Sequence, residues 1–289
     1  MLYLLIVSFI WAFSFGLIKG SLTGLDPNFV SFIRLLISFL IFIPFLKIKN
    51  LTHANKIKLI FIGITQYGIM YTAYIFSYQY LKAYEIALFT IFTPFYVTSI
   101  NDLLEKRFHK LFFLSSFIAV IGTYIIMQNK LGEQNILFGF LLVQLSNICF
   151  AFGQVFYKKV MADVKGIKDH QLYALLFLGA VLFTGIASAI TTNFSKIAIS
   201  TNQILILIYL GAIASGLGFF FWNYGARKTN TGSLAVFNNL KIPLAIAVSL
   251  VFFSEEANVS RLTIGSVIIL FALFLNEKYL TRSLLKGTT

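Results

Sequence analysis

The chain contains ten long apolar segments, separated by short connections that carry most of its charge. The segments cover residues 2–18, 28–46, 57–79, 84–101, 110–127, 136–157, 171–192, 203–225, 231–253 and 261–277. A helix that crosses the hydrocarbon core of a bilayer needs about 20 predominantly apolar residues, with a range of roughly 17–25. Only 11% of the residues are charged, whereas a soluble domain carries roughly 25%. The sequence therefore predicts an all-α integral membrane protein with ten transmembrane helices.

Lysine and arginine are distributed unequally between the two sides of the predicted bundle. Of the 23 such residues, 16 lie in the connections on one side, 5 lie on the other and 2 lie within spans. Cytoplasmic loops of membrane proteins carry an excess of Lys and Arg, so we expect both termini in the cytoplasm. The Phe-, Ile- and Lys-rich composition is typical of a low-GC bacterium, and we expect a multi-pass protein of the bacterial inner membrane. Because this rule accounts for the net charge of +13, the charge does not indicate a nucleic-acid partner.

The second half of the chain repeats features of the first half in the same order. The Phe-Ser-Phe-Gly of residues 13–16 corresponds to the Phe-Ala-Phe-Gly of residues 150–153. The Tyr-Gln-Tyr of residues 78–80 corresponds to the Trp-Asn-Tyr of residues 222–224. Each half has five spans, an odd number, so we predict two inverted five-helix repeats. The predicted units are residues 1–128, residues 136–278 and a short cytoplasmic tail, residues 279–289.

Two prolines, Pro94 and Pro243, lie inside the fourth span of each half. A proline within a helix removes one backbone hydrogen bond and frees the carbonyl four residues earlier, here that of Thr90 and that of Asn239. In a bilayer such a kink is tolerated where protein or a wet cavity satisfies the freed groups. Interrupted helices at matching places in two repeats indicate a transporter's binding site. A kink that serves only helix packing is the alternative, and the matched pair favours a central cavity.

Several short motifs resemble those of one known transporter family. They are the Trp-Ala-Phe-Ser-Phe of residues 11–15, the Ser-Phe-Ile-Arg of residues 31–34, the stretch 87–94 and the Asn-Asn-Leu-Lys-Ile-Pro of residues 238–243. On these residues nearly the whole chain resembles the EamA branch of the drug/metabolite transporter superfamily, as two EamA-type units. The resemblance implies a ten-helix carrier that moves amino acids, other small metabolites or drugs, often outward. Family members commonly carry an acidic residue before the proline of span four or nine, where this chain has Thr93 and Ile242.

Lys241 is the leading candidate for contact with a solute. At 1.5 Å per residue from the start of its span, it lies roughly 15 Å deep, near the membrane midplane. A charge there costs about 2.5–3.5 kcal/mol on insertion scales, so it should face the bundle interior or water. Asn238, one turn earlier on the same face, and Asn239, whose carbonyl Pro243 frees, add polar groups at this depth. The group predicts an anion or carboxylate contact, and a lysine bonded to backbone carbonyls or amides is the structural alternative.

The other cation within a span is Arg34, which lies within two turns of the outer start of the second span. A cation near a helix N-terminus opposes the helix dipole, so Arg34 should have an anionic partner. Glu85, at the outer start of the fourth span, is the expected one. We favour a structural ion pair of Arg34 with Glu85, or a snorkelling Arg34 side chain, over a contact between Arg34 and a ligand.

Polar side chains along the other spans predict the wall of a cavity. In the third span Tyr67, Tyr71, Tyr74 and Tyr78 recur on one helix face, and buried tyrosine hydroxyls need hydrogen-bond partners. Packing between helices is the alternative for this stripe. Besides Lys241, the candidate substrate-binding residues are Asn238, Asn239, Thr90, Tyr71, Tyr74, Gln154, Asn147, Trp222 and Asn223. We expect the last two to close one end of the cavity.

The sequence lacks the residue patterns that other function classes need. It has no metal-ligand spacing and no phosphate-cradling glycine loop, so we expect no metal, no cofactor and no direct use of ATP. No Asp or Glu lies in the middle of a span, so the usual carboxylate for ion coupling is not visible. An enzyme acting on lipids would need converging nucleophiles, bases or metal ligands within the spans, and none is found.

These features together predict a secondary transporter rather than an enzyme. It would bind a small polar organic solute, such as an amino acid or carboxylate, between the repeats and expose it alternately to each side, with export as the direction typical of the family. The alternatives are a multidrug efflux protein, a lipid-acting membrane enzyme and a non-transporting scaffold. The expected partners are the solute and the lipid bilayer, and the expected assembly is a monomer or a homodimer.

Overall fold

The described part of the chain is built from helices. A computed structural model describes residues 2–49, 51–106, parts of 114–125, 134–228, 231–255 and 258–286, with side chains at all of these except 134, 231–240, 273 and 276–286. The helices are α1 Leu2–Leu22, α2 Pro27–Phe45, α3 His53–Ser77, α4 Ala83–Glu105, α5 Gln134–Asp163, α6 Asp169–Thr191, α7 Thr201–Lys228, α8 Thr231–Phe252 and α9 Val259–Lys286. Helical residues also occur between 114 and 125.

Seven of the described helices, α1 to α7, are long and apolar enough to cross a membrane. The apolar stretches Lys241–Phe252 and Val259–Ala272, within α8 and α9, are shorter. Large apolar side chains on the rim are exposed, such as Ile190 at 79% and Leu103 at 78%, as expected for a surface that faces lipid. The chain is therefore a multi-pass membrane protein, and the fifth predicted span, 110–127, lies mostly outside the described residues.

Short capping motifs start several of these helices. Asp26 precedes α2 and its carboxylate accepts a hydrogen bond from the Phe29 amide at 2.9 Å, with Pro27 in the first helical turn. Thr52 caps α3 and Ser200 caps α7 in the same way. A side-chain oxygen at this position satisfies an amide that has no partner within the helix, and proline fits the first turn because its missing N–H is not needed there. The local sequence thus fixes where these helices begin.

Four helices depart from α-helical geometry inside the bundle. Wider π-turns occupy Ile18–Leu22 in α1, Ile64–Ile69 in α3 and Leu210–Leu217 in α7. A tighter 3₁₀ turn, Thr90–Phe92, interrupts α4 directly before Pro94. Such irregular turns leave backbone groups without their usual intrahelical partner and often occur at functional sites.

The two prolines behave differently. In α4 the Thr90 carbonyl, which Pro94 deprives of its usual donor, accepts a hydrogen bond from the Thr93 hydroxyl at 2.7 Å. The Thr90 carbonyl, which Pro94 was predicted to free, therefore has a hydrogen-bond donor within its own helix. In α8 the backbone is α-helical on both sides of Pro243, whereas a 3₁₀ turn comes before Pro94 in α4; the matched kinks stay a prediction.

Helices from the first half of the chain pack against helices from the second half. The most extensive pairs include α2 with α6 and α7, α1 with α8, α3 with α5 and α6, and α4 with α5 and α8. Glycines allow the closest of these approaches: a Cβ added at Gly63 in α3 would meet the Leu176 carbonyl of α6, and one at Gly179 in α6 would meet the Ile60 carbonyl of α3. This packing leaves a cavity in the centre of the bundle.

Candidate functional site

A central cavity is enclosed by residues from seven helices, α1 to α5, α7 and α8. Its volume is about 70 Å³, and it is partly open to solvent. Five of the predicted site residues line it, namely Lys241, Thr90, Tyr71, Tyr74 and Asn147. Arg34, which we predicted to be structural, lines the same cavity.

Lys241 is buried in α8, with its ammonium group among aromatic rings. Its Nζ lies 5.3 Å from the ring centre of Trp11, 5.8 Å from that of Trp222 and 5.9 Å from that of Phe150. A cation near the face of an aromatic ring is stabilised by about 0.5–1 kcal/mol when exposed and about 2 or more when desolvated. The charge of Lys241 is therefore supported by rings on α1, α5 and α7. The side chains of Asn238 and Asn239, predicted to act with Lys241, lie outside the described residues.

Arg34, in α2, is almost completely buried, at 1% exposure. Its Nη2 donates hydrogen bonds to the Tyr71 hydroxyl at 2.6 Å and to the Ser215 hydroxyl at 3.2 Å. The guanidinium also lies over the Tyr71 ring, 4.7 Å from its centre. Its Nε and Nη1 have no hydrogen-bond partner among the described residues.

The hydrogen bonds described for Arg34 go to Tyr71 and Ser215, and its ion pair with Glu85 stays a prediction. The Glu85 carboxylate accepts a hydrogen bond from the Lys82 amide at 2.9 Å, as part of the cap at the start of α4. The sequence places both residues near the outer ends of their spans, but it does not give the direction in which each side chain points. In the structure Arg34 lines the cavity, and the Glu85 carboxylate accepts a backbone hydrogen bond at the start of its own helix.

The π-turn of α7 holds one side of the cavity in place. Within it, the Ser215 hydroxyl donates to the Leu210 carbonyl five residues earlier at 2.8 Å and lies 2.7 Å from the Tyr71 hydroxyl. The Ala214 carbonyl accepts a hydrogen bond from Trp11 Nε1 at 2.9 Å. The sequence analysis did not identify Ser215 or Trp11 as site residues. No local sequence signal marks this turn.

The interrupted part of α4 forms a polar wall with α5. The Thr90 hydroxyl donates to the Ala87 carbonyl at 2.7 Å. The Thr93 hydroxyl lies 3.2 Å from Asn147 Oδ1, and Asn147 Nδ2 donates to the Phe89 carbonyl at 2.9 Å. Because these hydroxyls donate to protein oxygens, their own oxygen lone pairs are free to accept hydrogen bonds from a solute. Thr90 and Asn147 thus lie where the sequence predicted them, beside the cavity.

Three predicted residues lie away from the cavity wall. Asn223 exchanges hydrogen bonds with Gln66 at 3.0 and 3.2 Å and donates to the Tyr67 hydroxyl at 2.9 Å. Trp222 is fully buried, with its ring 5.0 Å from that of Trp11. Gln154 is buried, and its amide atoms have no hydrogen-bond partner among the described residues.

A polar cluster lies on the side of α7 that leads to Lys228. There Tyr67 bonds to Tyr173, whose hydroxyl donates to the Phe219 carbonyl at 2.6 Å. Farther along, Arg227 forms an ion pair with Asp169, and the Tyr157 hydroxyl donates to the same carboxylate at 2.8 Å. Phe219 lines the cavity, so this cluster packs behind one of its walls. Asn223 belongs to this layer.

The cavity has a strongly positive lining. Arg34 and Lys241 are its two cationic residues, and none of the described residues that line it is acidic. A buried charge is stable only when it is paired or hydrogen-bonded. Two like charges in one cavity also repel each other, so an anion between them would stabilise both. The described residues also contain no group of His, Cys, Asp or Glu that could hold a metal ion. The arrangement suits an organic anion.

Comparisons with known proteins agree on one family. The EamA-like transporter family matches residues 1–128 and 137–277. The chain is 36% identical over 281 residues to a protein of Salmonella typhimurium named as a biotin transporter, covering 96% of this chain and 93% of the relative. It is similar, at 36% over 285 residues with the same coverage, to a biotin transporter of Escherichia coli K12.

Two more distant similarities extend this result. A protein of E. coli K12 named as a probable amino-acid metabolite efflux pump is 22% identical over 289 residues, covering 94% of this chain and 92% of the relative. A solved crystal structure with 14% sequence identity matches 95% of each chain with a TM-score of 0.68. The second similarity concerns the fold alone.

Proposed function

Because the chain belongs to the EamA-like transporter family, we propose that it is a secondary carrier of a small organic acid, with biotin as its solute. The observation that carries this proposal is the pair of buried cations, Arg34 and Lys241, in one central cavity with no acidic residue in its described lining. A solute carboxylate would provide the missing negative charge. A cationic drug would be repelled, so the cavity speaks against multidrug efflux.

Both ends of the biotin molecule match chemical groups in the cavity. It has a carboxylate on a flexible aliphatic chain, and an apolar bicyclic ring system that ends in a ureido group with two N–H donors. The cations can attract the carboxylate, and Trp11, Phe15, Phe150 and Phe219 supply apolar lining for the chain and rings. The polar wall of α4 and α5 has oxygens that accept hydrogen bonds. The names of the relatives and this lining point to the same solute class.

We further propose that the carrier consists of two inverted five-helix repeats. If α1–α4 correspond to α5–α8, with the fifth span of the first half between the two sets, each contact between the halves should have a counterpart. The counterpart of the α1–α8 contact is α5–α4, and the counterpart of the α2–α7 contact is α6–α3. All four contacts are extensive, and α2–α6, which maps onto itself, is also extensive. The π-turns Ile64–Ile69 and Leu210–Leu217 lie in corresponding helices as well. These pairings support the repeat and, with it, alternating access by rocking of the halves.

Transport in purified form tests the proposal directly. Protein reconstituted in liposomes should show saturable flux of labelled biotin, with amino acids, other organic acids and cationic drugs as competitors. Both directions should be measured, because the relatives include one named as an efflux pump. Empty liposomes and the Lys241→Met variant are the controls. Saturable flux of an amino acid without saturable flux of biotin would refute biotin as the solute. Absence of any flux would refute the proposal that the protein is a carrier.

A further inference from the structure

Arg34 carries buried hydrogen-bond donors that no described residue accepts. A guanidinium has five N–H donors. The two on Nη2 bond to Tyr71 and Ser215, which leaves one on Nε and two on Nη1 without a partner among the described residues. The side chain is 99% buried, so bulk water does not satisfy them. Unpaired buried donors of a charged group are costly, and they remain available to a ligand in the cavity that Arg34 lines.

Lys241 differs from Arg34 in how its charge is supported. The three rings around its Nζ, those of Trp11, Trp222 and Phe150, come from three separate helices. Ring faces stabilise a cation without a counter-ion. Arginine is moreover the better geometric match for a carboxylate, because its planar fork presents several donors in fixed directions.

We propose that Arg34 is the residue that binds the solute carboxylate and selects acids over neutral analogues, and that Lys241 attracts the anion through space without bonding to it. This inference rests on the proposed function, in that the solute is an organic acid. Tyr71 and Ser215 are positioning residues: they hold Nη2 by two hydrogen bonds, which leaves Nε and Nη1 as the donors for the solute. The 2.7 Å contact between the two hydroxyls joins α3 to the π-turn of α7 at this point.

Binding of a matched acid and amide separates the two cations. Biotin and biotinamide have nearly the same shape, and only biotin carries the charge. In purified wild-type protein we expect biotin to bind at least about 10-fold more tightly than biotinamide, because hydrogen bonds between charged groups are stronger than those to a neutral amide. Arg34→Gln should bring this ratio close to 1 and retain the affinity for biotinamide. Lys241→Gln should weaken biotin binding but keep the preference for the acid.

The positioning role has its own readout. Tyr71→Phe keeps the ring under the guanidinium and removes the hydroxyl, and Ser215→Ala removes the other acceptor. Both should raise KM for biotin several-fold, with little change in kcat and in biotinamide affinity. Retained binding of biotinamide shows that each variant is folded. If Arg34→Gln does not fold, Arg34→Lys and Tyr71→Phe decide the matter, because both should lower the ratio of acid to amide affinity.

Specific outcomes would overturn the inference. A full acid preference in Arg34→Gln, or its loss in Lys241→Gln, would assign the carboxylate to Lys241. If Arg34→Gln does not fold, an unchanged ratio in both Arg34→Lys and Tyr71→Phe would overturn it as well. Wild-type protein that does not bind biotin but binds lipoate over lipoamide would refute the proposed solute, and the same variants would then be compared on that pair. Wild-type protein that binds no acid and transports a neutral solute would refute the inference while leaving the carrier intact.

Discussion

Gly211 in α7 is the position at which one added methyl group should separate two helices that hold the site together. A Cβ at this residue would lie 2.9 Å from the Ile37 Cβ and 3.1 Å from the Arg34 carbonyl oxygen, both on α2. Neither atom can move by rotation of a side chain. Because carbon atoms in contact are about 3.5–4.0 Å apart, Gly211→Ala must push α2 and α7 apart by roughly 0.6 Å. Overpacking of this kind costs about 1–3 kcal/mol.

The same displacement should weaken the site. Arg34 Nη2 lies 3.2 Å from the Ser215 hydroxyl of α7, and adding roughly 0.6 Å takes this pair beyond hydrogen-bonding distance. The loss of one hydrogen bond, about 1 kcal/mol, corresponds to about a 5-fold change in an equilibrium constant. We therefore expect Gly211→Ala to raise KM for biotin about 5-fold and to lower the thermal unfolding midpoint.

The measurement compares Gly211→Ala with a variant that makes the same chemical change in open space. Gly24→Ala suits this purpose, because an added Cβ there meets no atom within 4 Å. Thermal unfolding of both purified variants in the same detergent, followed by biotin uptake in liposomes, gives the two quantities. A Gly211→Ala protein with the melting midpoint and KM of Gly24→Ala would refute the close packing of α2 on α7.

Three further outcomes are expected. Lys241→Met removes a buried charge that costs about 2.5–3.5 kcal/mol, so the melting midpoint should stay or rise while biotin flux falls at least about 10-fold; unchanged flux would remove Lys241 from the site. Asp169→Asn should lower stability by about 1.5–3 kcal/mol, the usual contribution of hydrogen bonds to a charged group, and a double-mutant cycle with Arg227→Gln should show coupling; zero coupling would contradict the ion pair. Biotin should alter the fluorescence of Trp11, which lines the cavity, so Trp222→Phe should keep the response and Trp11→Phe should lose it.

Helix positions are predicted well from the sequence because membrane insertion is a local property. A bilayer demands an unbroken apolar stretch, so the run 28–46 alone nearly defines α2, Pro27–Phe45. The ends are less exact where a helix extends beyond the apolar run, as in α5, whose apolar part is 136–157 but which spans Gln134–Asp163. There polar residues continue the helix outside the hydrocarbon region.

The site is predicted only in part, because the sequence indicates how deep a residue lies in the membrane but not the direction in which its side chain points. Lys241 is conspicuous as a charge in an apolar segment, and the structure places it at the cavity. Arg34 was equally conspicuous, but its partners come from α3 and α7, which no local pattern connects to α2. Ser215 reaches it only because of a π-turn, a feature that tertiary packing produces. Contacts between distant helices are therefore what the sequence leaves open.

The placement of the two cations on different helices bears on how a bound anion is released. Arg34 is on α2, which packs with α6 and α7, while Lys241 is on α8, which packs with α1 and α4. A carrier must bind its solute well enough to load it and weakly enough to unload it. Since Coulomb attraction in a low-dielectric interior falls with separation, any rocking that moves α8 away from α2 lowers the affinity for the anion. The motion that opens the cavity would then also release the solute.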